Sequence, residues 1–448
     1  MQDILHPESC ILYPFFLPLH LKQNPMLQLS FIREKTAEVI DRLKLKNFDG
    51  TQVIGEIIRF DDIRRESQKA LDDLQAQSNA IAKEIGMLFK QGRAGETNAL
   101  KEKTAELKTK AKEFEIKLES ARKELDDLLV RVPNLPHPGV PSGKSAEDNE
   151  IVQSEDSMIP AGGEYLPHWE LITKYDIIDF VTGTKITGSG FPVYKGKGAR
   201  LQRALVNFFL DQAIAAGYFE VQPPYMVNAA SAFATGQLPD KDGQMYHDVT
   251  DDLYLIPTAE VPVTNIYRDS ILKAQDLPCK NVAYSACFRR EAGSWGKDVR
   301  GLNRLHQFDK VEIVQVTVPE KSYQALEEMR EYVAGLLRKL ELPFRIVKLC
   351  GGDMSFTSAL TYDFEVWSVG QKRWLEVSSV SNFEAFQSNR LKLRYKDENG
   401  KIHLAHTLNG SALALPRIVA ALLEMNQTPE GIRVPQVLKT YCGFEMIN

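Results

Sequence analysis

The sequence predicts an α+β protein, in which an N-terminal antiparallel helical hairpin precedes a larger domain built on a mainly antiparallel sheet flanked by helices. Apolar residues recur every three or four positions along two long stretches before residue 130, which is the heptad pattern of packed helices. After residue 150, strand-like segments come in clusters followed by helices, without the regular alternation that a parallel sheet requires. A chain of 448 residues also exceeds one ordinary core, so two or three domains are expected.

Composition bounds the class of protein but not its partner. The formal net charge of −5 gives no indication of nucleic acid, which would need a local basic surface. Five cysteines without a CxxC pair argue against a disulfide framework and against a zinc knuckle. No apolar run reaches the ~18 to 20 residues of a membrane span. We therefore expect a cytoplasmic protein with reduced thiols and no membrane partner.

Residues 1–25 form an extension of uncertain role. The segment Cys10–Leu21 is apolar but is interrupted by Pro14 and Pro18. It lacks a basic leader and a small-residue cleavage site, which argues against a secretory signal. Two alternatives stay open: a loose extension ahead of a natural start at Met26, or a short segment that docks on the rest of the protein.

A coiled-coil hairpin is predicted at about residues 60–131, within an N-terminal domain at 26–132. Two heptad stretches are joined by a short turn at Gly92–Glu96, so the helices are expected to pack antiparallel. At ~1.5 Å per residue, arms of about 35 residues would project ~50 Å. The heptad positions are Leu71, Leu74, Ser78, Ile81, Ile85 and Leu88 in the first stretch, and Leu107, Ala111, Phe114, Leu118, Ala121, Leu125 and Leu128 in the second.

The outer part of this hairpin is locally basic. Between Ile81 and Lys123, eleven lysines and arginines stand against seven glutamates, in a chain that is negative overall. Lys108, Lys110 and Lys112 lie close along the second arm. Charge alone leaves two interpretations open, a nucleic-acid contact and a solvated face on a spacer or dimer seam.

A proline-rich linker is predicted at 133–150, and a second domain at 151–448. Four prolines and a polar run follow Arg131, a composition that ends a helix. The second domain is expected to contain a helix near Gly198–Ala216 and strands at Val282–Phe288, Gln307–Val316 and Trp374–Ser378. It contains neither a GxxxxGK[ST] loop nor a GxGxxG opening a βαβ unit, so the familiar nucleotide-binding folds find no support.

Two stretches of the second domain carry the residues of a nucleotide site. Cys287–Ile313 is predicted to form strand, loop and strand, with Arg289 and Glu291 ahead of a glycine-rich turn. His406–Glu424 is predicted to place a turn centred on Gly410 before an apolar helix that carries Arg417. Arginine forks grip phosphate, and carboxylates fix an amine or a metal. The pair therefore suits an anionic, Mg²⁺-bound nucleotide.

These stretches resemble motifs 2 and 3 of class II aminoacyl-tRNA synthetases, and from Met26 onward the chain resembles the bacterial-type seryl-tRNA synthetase family. Five pieces occur in the family's order: TAEVP, FRREAGS, HQFDKVE, LEVSS and HTLNGS. The resemblance implies a class II catalytic domain that ligates L-serine to tRNA(Ser) through a seryl-adenylate, releasing AMP and diphosphate. It also implies serylation of tRNA(Sec) where that tRNA is present. In this family the basic hairpin grips tRNA, and motif 1, recognisable as GYFEVQPPYMV with Pro224, builds a homodimer.

The resemblance assigns roles in ATP binding and catalysis. Arg289 is expected to clamp the α-phosphate and Arg417 the γ-phosphate, and both are the expected catalytic residues. Glu291 is expected to bind the adenine amino group, with Phe308 stacked on the ring, or else Phe308 is a core residue. Arg300 is expected at the γ-phosphate or the tRNA end. The ATP-binding set is completed by Arg290, Glu376, Val377, Ser378 and Ser379, of which Glu376 and Ser379 are the expected Mg²⁺ ligands.

Serine recognition is assigned in the same way. Glu312 is the candidate for the substrate amino or hydroxyl group, and the alternative for it is a structural carboxylate on a strand. No zinc is expected, because His306, His403 and His406 show no compact ligand spacing. Ala412 and Pro416 replace glycines of many relatives, and Pro416 fits the first turn of a helix. The expected serine-binding set is Thr258, Ala259, Glu260, Glu312, Asn409 and Ser411.

Two other functions are compatible with parts of the chain. One is a seryl-synthetase-like paralogue that loads an amino acid onto a carrier protein, although such paralogues lack the long arm. The other is a non-catalytic coiled-coil interaction protein with an inactive synthetase domain. Arg289, Glu291, Glu376 and Arg417 are all present, which argues against an inactive site.

Overall fold

The structure, a computed structural model, describes residues 27–240, 242–291 and 300–448. The extension at 1–25 lies outside the described residues, as do Gly293 and Gly296 of the expected turn. Two units are seen, an N-terminal helical domain and a larger α+β domain. The predicted fold class is confirmed.

The N-terminal domain is a long antiparallel hairpin on a small helical base. The hairpin is confirmed, since the heptad positions of both arms are buried or half-buried and face one another. The base forms where apolar residues of all four helices, among them Ile32, Leu43, Ile57 and Leu129, share one core. The helices are α1 (Leu29–Glu34), α2 (Thr36–Leu45), α3 (Thr51–Lys90) and α4 (Asn98–Leu129).

Helix α3 begins at Thr51, earlier than the predicted start of the hairpin near residue 60. Its first turns carry Val53, Ile54 and Ile57, which are buried against α1, α2 and the end of α4. The helix therefore runs without interruption from the base to the tip. At ~1.5 Å per residue its 40 residues span ~60 Å.

The second domain is organised around one large sheet with helices packed against it. Its helices are α5 (His168–Lys174), α6 (Phe180–Ile186), α7 (Gly196–Ala215), α8 (Ala229–Thr235), α9 (Glu260–Asn265), α10 (Ser322–Lys339), α11 (Phe386–Leu391), α12 (Leu415–Met425) and α13 (Lys439–Cys442). Its strands are β1 (Glu150–Glu155), β2 (Ile178–Asp179), β3 (Val193–Tyr194), β4 (Phe219–Glu220), β5 (Met226–Asn228), β6 (His247–Asp248), β7 (Leu253–Leu255), β8 (Ile271–Lys273), β9 (Cys279–Phe288), β10 (Gln307–Thr317), β11 (Phe344–Lys348), β12 (Leu360–Ser368), β13 (Arg373–Glu384), β14 (Arg394–Lys396), β15 (Ile402–Leu404), β16 (His406–Ala414), β17 (Gln427–Thr428), β18 (Gly431–Arg433) and β19 (Met446–Ile447).

Within the described residues the main sheet has eight strands, in the order β1-β11-β12-β13-β16-β10-β9-β4. Every neighbouring pair is antiparallel except β4 and β9, which are parallel. Helices α7, α10 and α12 pack against the sheet, and their apolar faces join its core. One face of the central strands remains polar, and it carries the candidate site.

The prediction of a turn centred on Gly410 was wrong. Gly410 lies in the middle of β16, paired with Ile313 of β10 and Val380 of β13. A Cβ at this position would lie 2.9 Å from Cγ2 of Val380, so glycine serves close strand packing rather than a turn. The following helix α12 does carry Pro416 in its first turn, as predicted.

No helix in the described parts of the chain is both long and apolar enough to cross a membrane.

Candidate active site

A cavity of about 690 Å³ lies over the polar face of the main sheet, between the starts of α9 and α12. Most of the side chains predicted for ATP and serine binding line it, although they come from segments far apart in the sequence. The cavity-lining residues from the predicted set are Thr258, Glu260, Arg289, Glu291, Phe308, Glu312, Glu376, Val377, Ser378, Ser379, Asn409, Ser411 and Arg417.

The strand register explains how these segments meet. Asp363 of β12 pairs with Ser379 of β13, and Ser411 of β16 pairs with Glu312 of β10. Because Val380 pairs with Gly410, the two pairs lie in one row across four strands. Side chains alternate between the faces of a strand, so this row points into the same space.

Arg289 and Phe308 form one end of the cavity. The guanidinium of Arg289 lies over the Phe308 ring, 5.3 Å from its centroid, and its Nε donates to the carbonyl of Pro257 at 3.4 Å. Glu291, three residues after the end of β9, has a φ of 49°, in the left-handed region, and the chain turns there. Its carboxylate accepts from Nη1 of Arg304 at 2.9 Å. A flat ring beside a cation, with a carboxylate in the same cavity lining, suits a purine and its phosphates.

Arg417 connects two other parts of this end. Its Nε donates to the carbonyl of Asn303 at 3.0 Å, and its Nη1 donates to the carbonyl of Glu376 at 2.7 Å. The side chain extends from the first turn of α12 and is only partly buried, so its remaining donors face the cavity. Its backbone contacts set the position of the cation, and its Nη1 also lies 3.8 Å from Oε2 of the Glu376 carboxylate.

The other end of α12 holds the segment of Leu302 and Asn303 through a buried histidine. Nδ1 of His168 contacts Oε1 of Glu424 at 2.9 Å, and Nε2 of His168 accepts from the Leu302 N–H at 2.9 Å. Burial alone would raise the pKa of Glu424, but hydrogen bonds from His168 and Ser368 together lower it. Because Nε2 of His168 accepts from a backbone N–H, Nδ1 is the ring nitrogen that donates to Glu424. Residues 302 and 303 are therefore fixed from both ends of one helix.

The opposite end of the cavity is acidic. Glu312 accepts from Nζ of Lys310 at 2.5 Å, and both side chains are buried. Thr258 accepts from the same ammonium at 2.8 Å, while its hydroxyl donates to Oε2 of Glu312 at 3.3 Å. A buried ion pair of this kind needs well-placed partners, because desolvation otherwise exceeds the Coulombic gain. Lys310 and Thr258 thus hold the Glu312 carboxyl group in place at the cavity.

Glu260 is the second carboxylate at this end. Burial, with the nearby charge of Glu312, raises the pKa of Glu260 to about 7. Nε2 of Gln387 donates to Oε1 of Glu260 at 2.7 Å and holds its orientation. Two buried carboxylates with one lysine leave an excess of negative charge, which an ammonium group would compensate.

Asp363, Glu376 and Ser379 provide a set of hard oxygen donors between the two ends. The hydroxyl of Ser379 donates to Oδ1 of Asp363, and Glu376 is partly exposed to the cavity. Burial, reinforced by the charge of Glu376, raises the pKa of Asp363 well above its usual range. Carboxylates that repel one another in this way suit a divalent cation such as Mg²⁺. Among the described residues, no group of three His, Cys, Asp or Glu side chains has the spacing of a metal site.

Comparison with known proteins identifies the family. The family model for the seryl-tRNA synthetase N-terminal domain matches residues 26–136, and that for the class II tRNA synthetase core domain (G, H, P, S and T) matches residues 244–426. The serine–tRNA ligase of Salinibacter ruber is 49% identical over 94% of this chain and 99% of its own length. The chain belongs to the seryl-tRNA synthetase family.

Solved structures of this family agree with that assignment. The seryl-tRNA synthetase of Pyrococcus horikoshii, complexed with ATP, superposes with a TM-score of 0.87 at 34% identity, covering 94% of this chain and 99% of its own. The cytoplasmic serine–tRNA ligase of Naegleria fowleri, in complex with AMP, gives a TM-score of 0.83 at 26% identity, with 94% and 98% covered. As a member of the family the chain is a class II aminoacyl-tRNA synthetase.

Some residues predicted for this synthetase site lie away from the cavity. Ala259 is fully buried beneath the start of α9. The side chain of Arg290 is exposed, and its backbone N–H donates to the Gln244 carbonyl at 2.8 Å. Arg300 lies over the ring of Trp169 at 4.7 Å. The lysines proposed to bind tRNA, Lys108, Lys110 and Lys112, are all exposed on α4.

Sequence reasoning missed several residues of the synthetase site. The signal for Lys310 was present, because Phe308, Lys310 and Glu312 alternate on one face of a strand. Asp363 had no comparable signal, since its place depends on the register between β12 and β13. His168 and Glu424 are 256 residues apart, and their contact could not be read from either position.

Proposed function

We propose that this chain attaches L-serine to tRNA(Ser) in two steps, through a seryl-adenylate. In the first step an oxygen of the serine carboxylate attacks the α-phosphorus of ATP. The bond from that phosphorus to the bridging oxygen breaks, and diphosphate leaves. In the second step a hydroxyl of the terminal ribose of the tRNA attacks the seryl carbonyl, and AMP leaves. The same chemistry serylates tRNA(Sec) where that tRNA is present.

Positioning and charge carry the first step, because no nucleophile from the protein is required. Arg289 stabilises the charge that builds on the α-phosphate, and Phe308 stacks beneath the adenine. Glu291 accepts from the adenine amino group. Arg417 holds the γ-phosphate from the start of α12. All four side chains line the same cavity, and the Arg289 guanidinium lies 5.3 Å from the centroid of the Phe308 ring.

Serine binds at the acidic end, with its ammonium group between Glu260 and Glu312. Lys310 orients Glu312, and the polar side chains of Thr258, Asn409 and Ser411 remain for the hydroxyl. A site built to bond a hydroxyl rejects alanine, because its polar groups would stay unpaired. The serine carboxylate then points towards Arg289 and the α-phosphate.

Mg²⁺ fits the oxygen donors between these two groups. Glu376, Ser379 and Asp363 would hold it, and the ion would screen the charge of the phosphates when bound. The raised pKa of Asp363, caused by burial and by the charge of Glu376, supports this placement. Arg417 contacts the backbone of Glu376, so the cation site and the phosphate clamp share one support.

The hairpin provides the grip on tRNA(Ser), through phosphate contacts of its exposed lysines. Motif 1, at residues 217–227, forms the seam of a homodimer, and the protein works in the cytoplasm. The proposed organisation along the chain is an extension at 1–25, an N-terminal domain at 26–132, a linker at 133–150 and a catalytic domain at 151–448.

One observation carries the proposal: the row of Asp363, Ser379, Ser411 and Glu312 lines one cavity together with Arg289 and Arg417, so the cavity offers both acidic and cationic groups. A carrier-protein ligase needs no long arm, and the heptad positions of this arm are buried or half-buried. An interaction protein needs no buried Lys310–Glu312 pair in an open cavity.

The test is ATP–diphosphate exchange with each of the twenty amino acids, followed by charging of total tRNA. We expect Mg²⁺-dependent exchange with serine and esterification of tRNA(Ser). Exchange with serine but transfer to a carrier protein instead of tRNA would favour the paralogue. No exchange with any amino acid would favour the interaction protein.

A further inference from the structure

The N-terminal domain holds one wall of the active-site cavity. The wall loop, which we define as residues 351–358, connects β11 to β12. Asp353, Ser355 and Thr357 of this loop line the cavity. The backbone of the loop faces the other way, towards the base of the hairpin.

Two residues hold this backbone: Lys46 in the base of the hairpin, and Asn134 just after α4, at the start of the linker. Nζ of Lys46 donates to the carbonyl oxygens of Ser355 and Ser358, both at 2.7 Å, and to that of Phe356 at 3.3 Å. The backbone N–H of Asn134 donates to the Phe356 carbonyl at 2.9 Å.

The side-chain amide of Asn134 completes the set. Its Nδ2 donates to the Thr357 carbonyl at 2.8 Å and to the Phe383 carbonyl at 2.9 Å. Four successive carbonyl groups, 355 to 358, are thus bonded by Lys46 and Asn134. A buried carbonyl without a donor is costly, so these contacts determine the path of the loop.

Close packing leaves the loop little freedom to move. A Cβ on Gly351 would lie 1.7 Å from the carbonyl oxygen of Leu45, which shows that the two backbones touch there. A Cβ on Gly236 would lie 2.3 Å from Cγ2 of Thr357, so the loop also presses on the segment before Gln237. Gln237 lines the cavity as well.

The register places the wall loop nearest the serine end. The loop leads into β12 at Leu360, and Thr361 pairs with Ser381, which pairs with Asn409. Asn409 in turn pairs with Val314, two residues beyond Glu312 on β10. Phe308 lies at the opposite end of that strand, six positions from Val314. A displaced wall loop would therefore weaken the binding of serine more than the binding of adenine.

We propose that Lys46 and Asn134 are positioning residues for serine activation, which makes the base of the hairpin part of the activation site. This inference rests on the proposed function. The N-terminal domain then has two separate tasks: the outer hairpin grips tRNA, and the base shapes the serine pocket even when no tRNA is bound.

The test is serine-dependent ATP–diphosphate exchange by the full-length protein without tRNA. We expect Lys46→Met to raise the KM for serine roughly ten-fold, because a small displacement of a binding wall has effects of this size. The KM for ATP should change by less than about two-fold. Lys46→Arg should restore part of the affinity, and Asn134→Asp, which turns a donor towards carbonyl oxygens into an acceptor, should act like Lys46→Met.

Lys44→Met is the matched control, because Lys44 is an exposed lysine on α2 that pairs only with Asp41 at 2.8 Å among the described residues. It should leave both KM values unchanged. A wild-type serine KM in Lys46→Met would overturn the proposal, even if its melting temperature fell. If Lys46→Met does not fold, an unchanged serine KM in both Lys46→Arg and Asn134→Asp would overturn it. A wild-type protein without serine-dependent exchange would instead contradict the proposed function.

Discussion

At the scale of single residues, the site separates two kinds of charged side chain. Arg289 and Arg417 both line the cavity and donate to backbone carbonyls, and Nη1 of Arg417 also lies 3.8 Å from the Glu376 carboxylate, so each presents a cation to a ligand. The buried ammonium of Lys310 instead contacts side chains of the protein, where it orients Glu312 and Thr258. The first kind is expected to act on the substrate, and the second to prepare the site.

Arg289→Ala should remove most of the serine-dependent exchange activity. Losing one preorganised contact to developing charge typically costs ~3 to 4 kcal/mol, which is about a hundred- to a thousand-fold in rate. Steady-state exchange measurements on a folded variant test this. Near wild-type exchange would exclude Arg289 from the mechanism.

Serine binding should strengthen as the pH rises through about 7. Burial, with the charge of Glu312, raises the pKa of Glu260 to about 7, and only its carboxylate form attracts the serine ammonium group. The KM for serine should therefore fall several-fold between pH 6 and pH 7.5. Glu260→Gln should raise the KM and flatten its dependence on pH; a wild-type pH profile in this variant would assign the titration to another group.

The raised pKa of Glu260 has the opposite effect on the stability of the ligand-free protein, which should fall as the pH rises. The folded pKa of Glu260 lies above its ordinary value, so the folded state holds the proton more tightly and loses stability as the pH rises towards 7. Glu260→Gln should thus raise the melting temperature at pH 8 but not at pH 5, which thermal unfolding at the two pH values can measure.

At the scale of elements, α12 acts as a clamp on the segment that follows the motif 2 loop. Arg417 at its start holds the Asn303 carbonyl, and Glu424 at its end acts through His168 on the Leu302 N–H. The helix therefore controls the nucleotide end of the cavity at two points that are two helical turns apart.

Replacing His168 should weaken ATP binding but not serine binding. The amide of Gln reaches the place of the imidazole Nε2, and the amide of Asn only that of Nδ1. His168→Gln can therefore keep an acceptor for Leu302, and His168→Asn cannot. We expect a KM for ATP that is raised about ten-fold in His168→Asn and less in His168→Gln. Equal ATP affinity in the two variants would show that the histidine only fills space.

The outer hairpin should bind tRNA mostly through phosphates. Replacing Lys108, Lys110 and Lys112 together by Gln should reduce the slope of log affinity against log salt by up to roughly 2.7, since each of the three phosphate contacts contributes about 0.9. Exchange without tRNA should not change. Filter binding of tRNA(Ser) over a range of salt concentrations measures the slope. An unchanged slope would show that these lysines form a solvated face and do not contact tRNA phosphates.

These elements differ in how far the sequence could predict them. Heptads specify a hairpin locally, so its helices were predicted well, and the motif 2 strands were recognised from alternating residues. Gly410 was misread because a glycine that serves strand packing and one that serves a turn look alike in a sequence. Lys46 could not be found at all, because its partners are backbone carbonyls more than 300 residues away, which carry no side-chain signal.

At the scale of the whole molecule, the two tasks of the N-terminal domain should separate along the hairpin. Excising residues 69–121 cuts just beyond the contact between Gln68 and Arg122 and leaves Leu125, Leu128 and Lys46 in the base. With a short linker this protein should retain serine-dependent exchange and lose tRNA charging. Excising the whole of residues 27–136 should lose exchange as well, since it removes Lys46 and Asn134.

Exchange and charging assays on the two deletions, with melting curves, distinguish these outcomes. Charging at the wild-type rate by the shorter deletion would make the hairpin a spacer. Wild-type exchange by the larger deletion would show that the catalytic domain shapes its serine pocket alone.

The heptad packing of α3 against α4 also determines how the reach of this protein can evolve. Seven residues added to each helix would move the tip outward by ~10 Å and keep the same faces in contact. An addition of three or four residues would instead rotate the outer surface away from its former direction. Evolution can therefore lengthen or shorten this hairpin in steps of two helical turns, while the serine pocket next to the base of the hairpin keeps its shape.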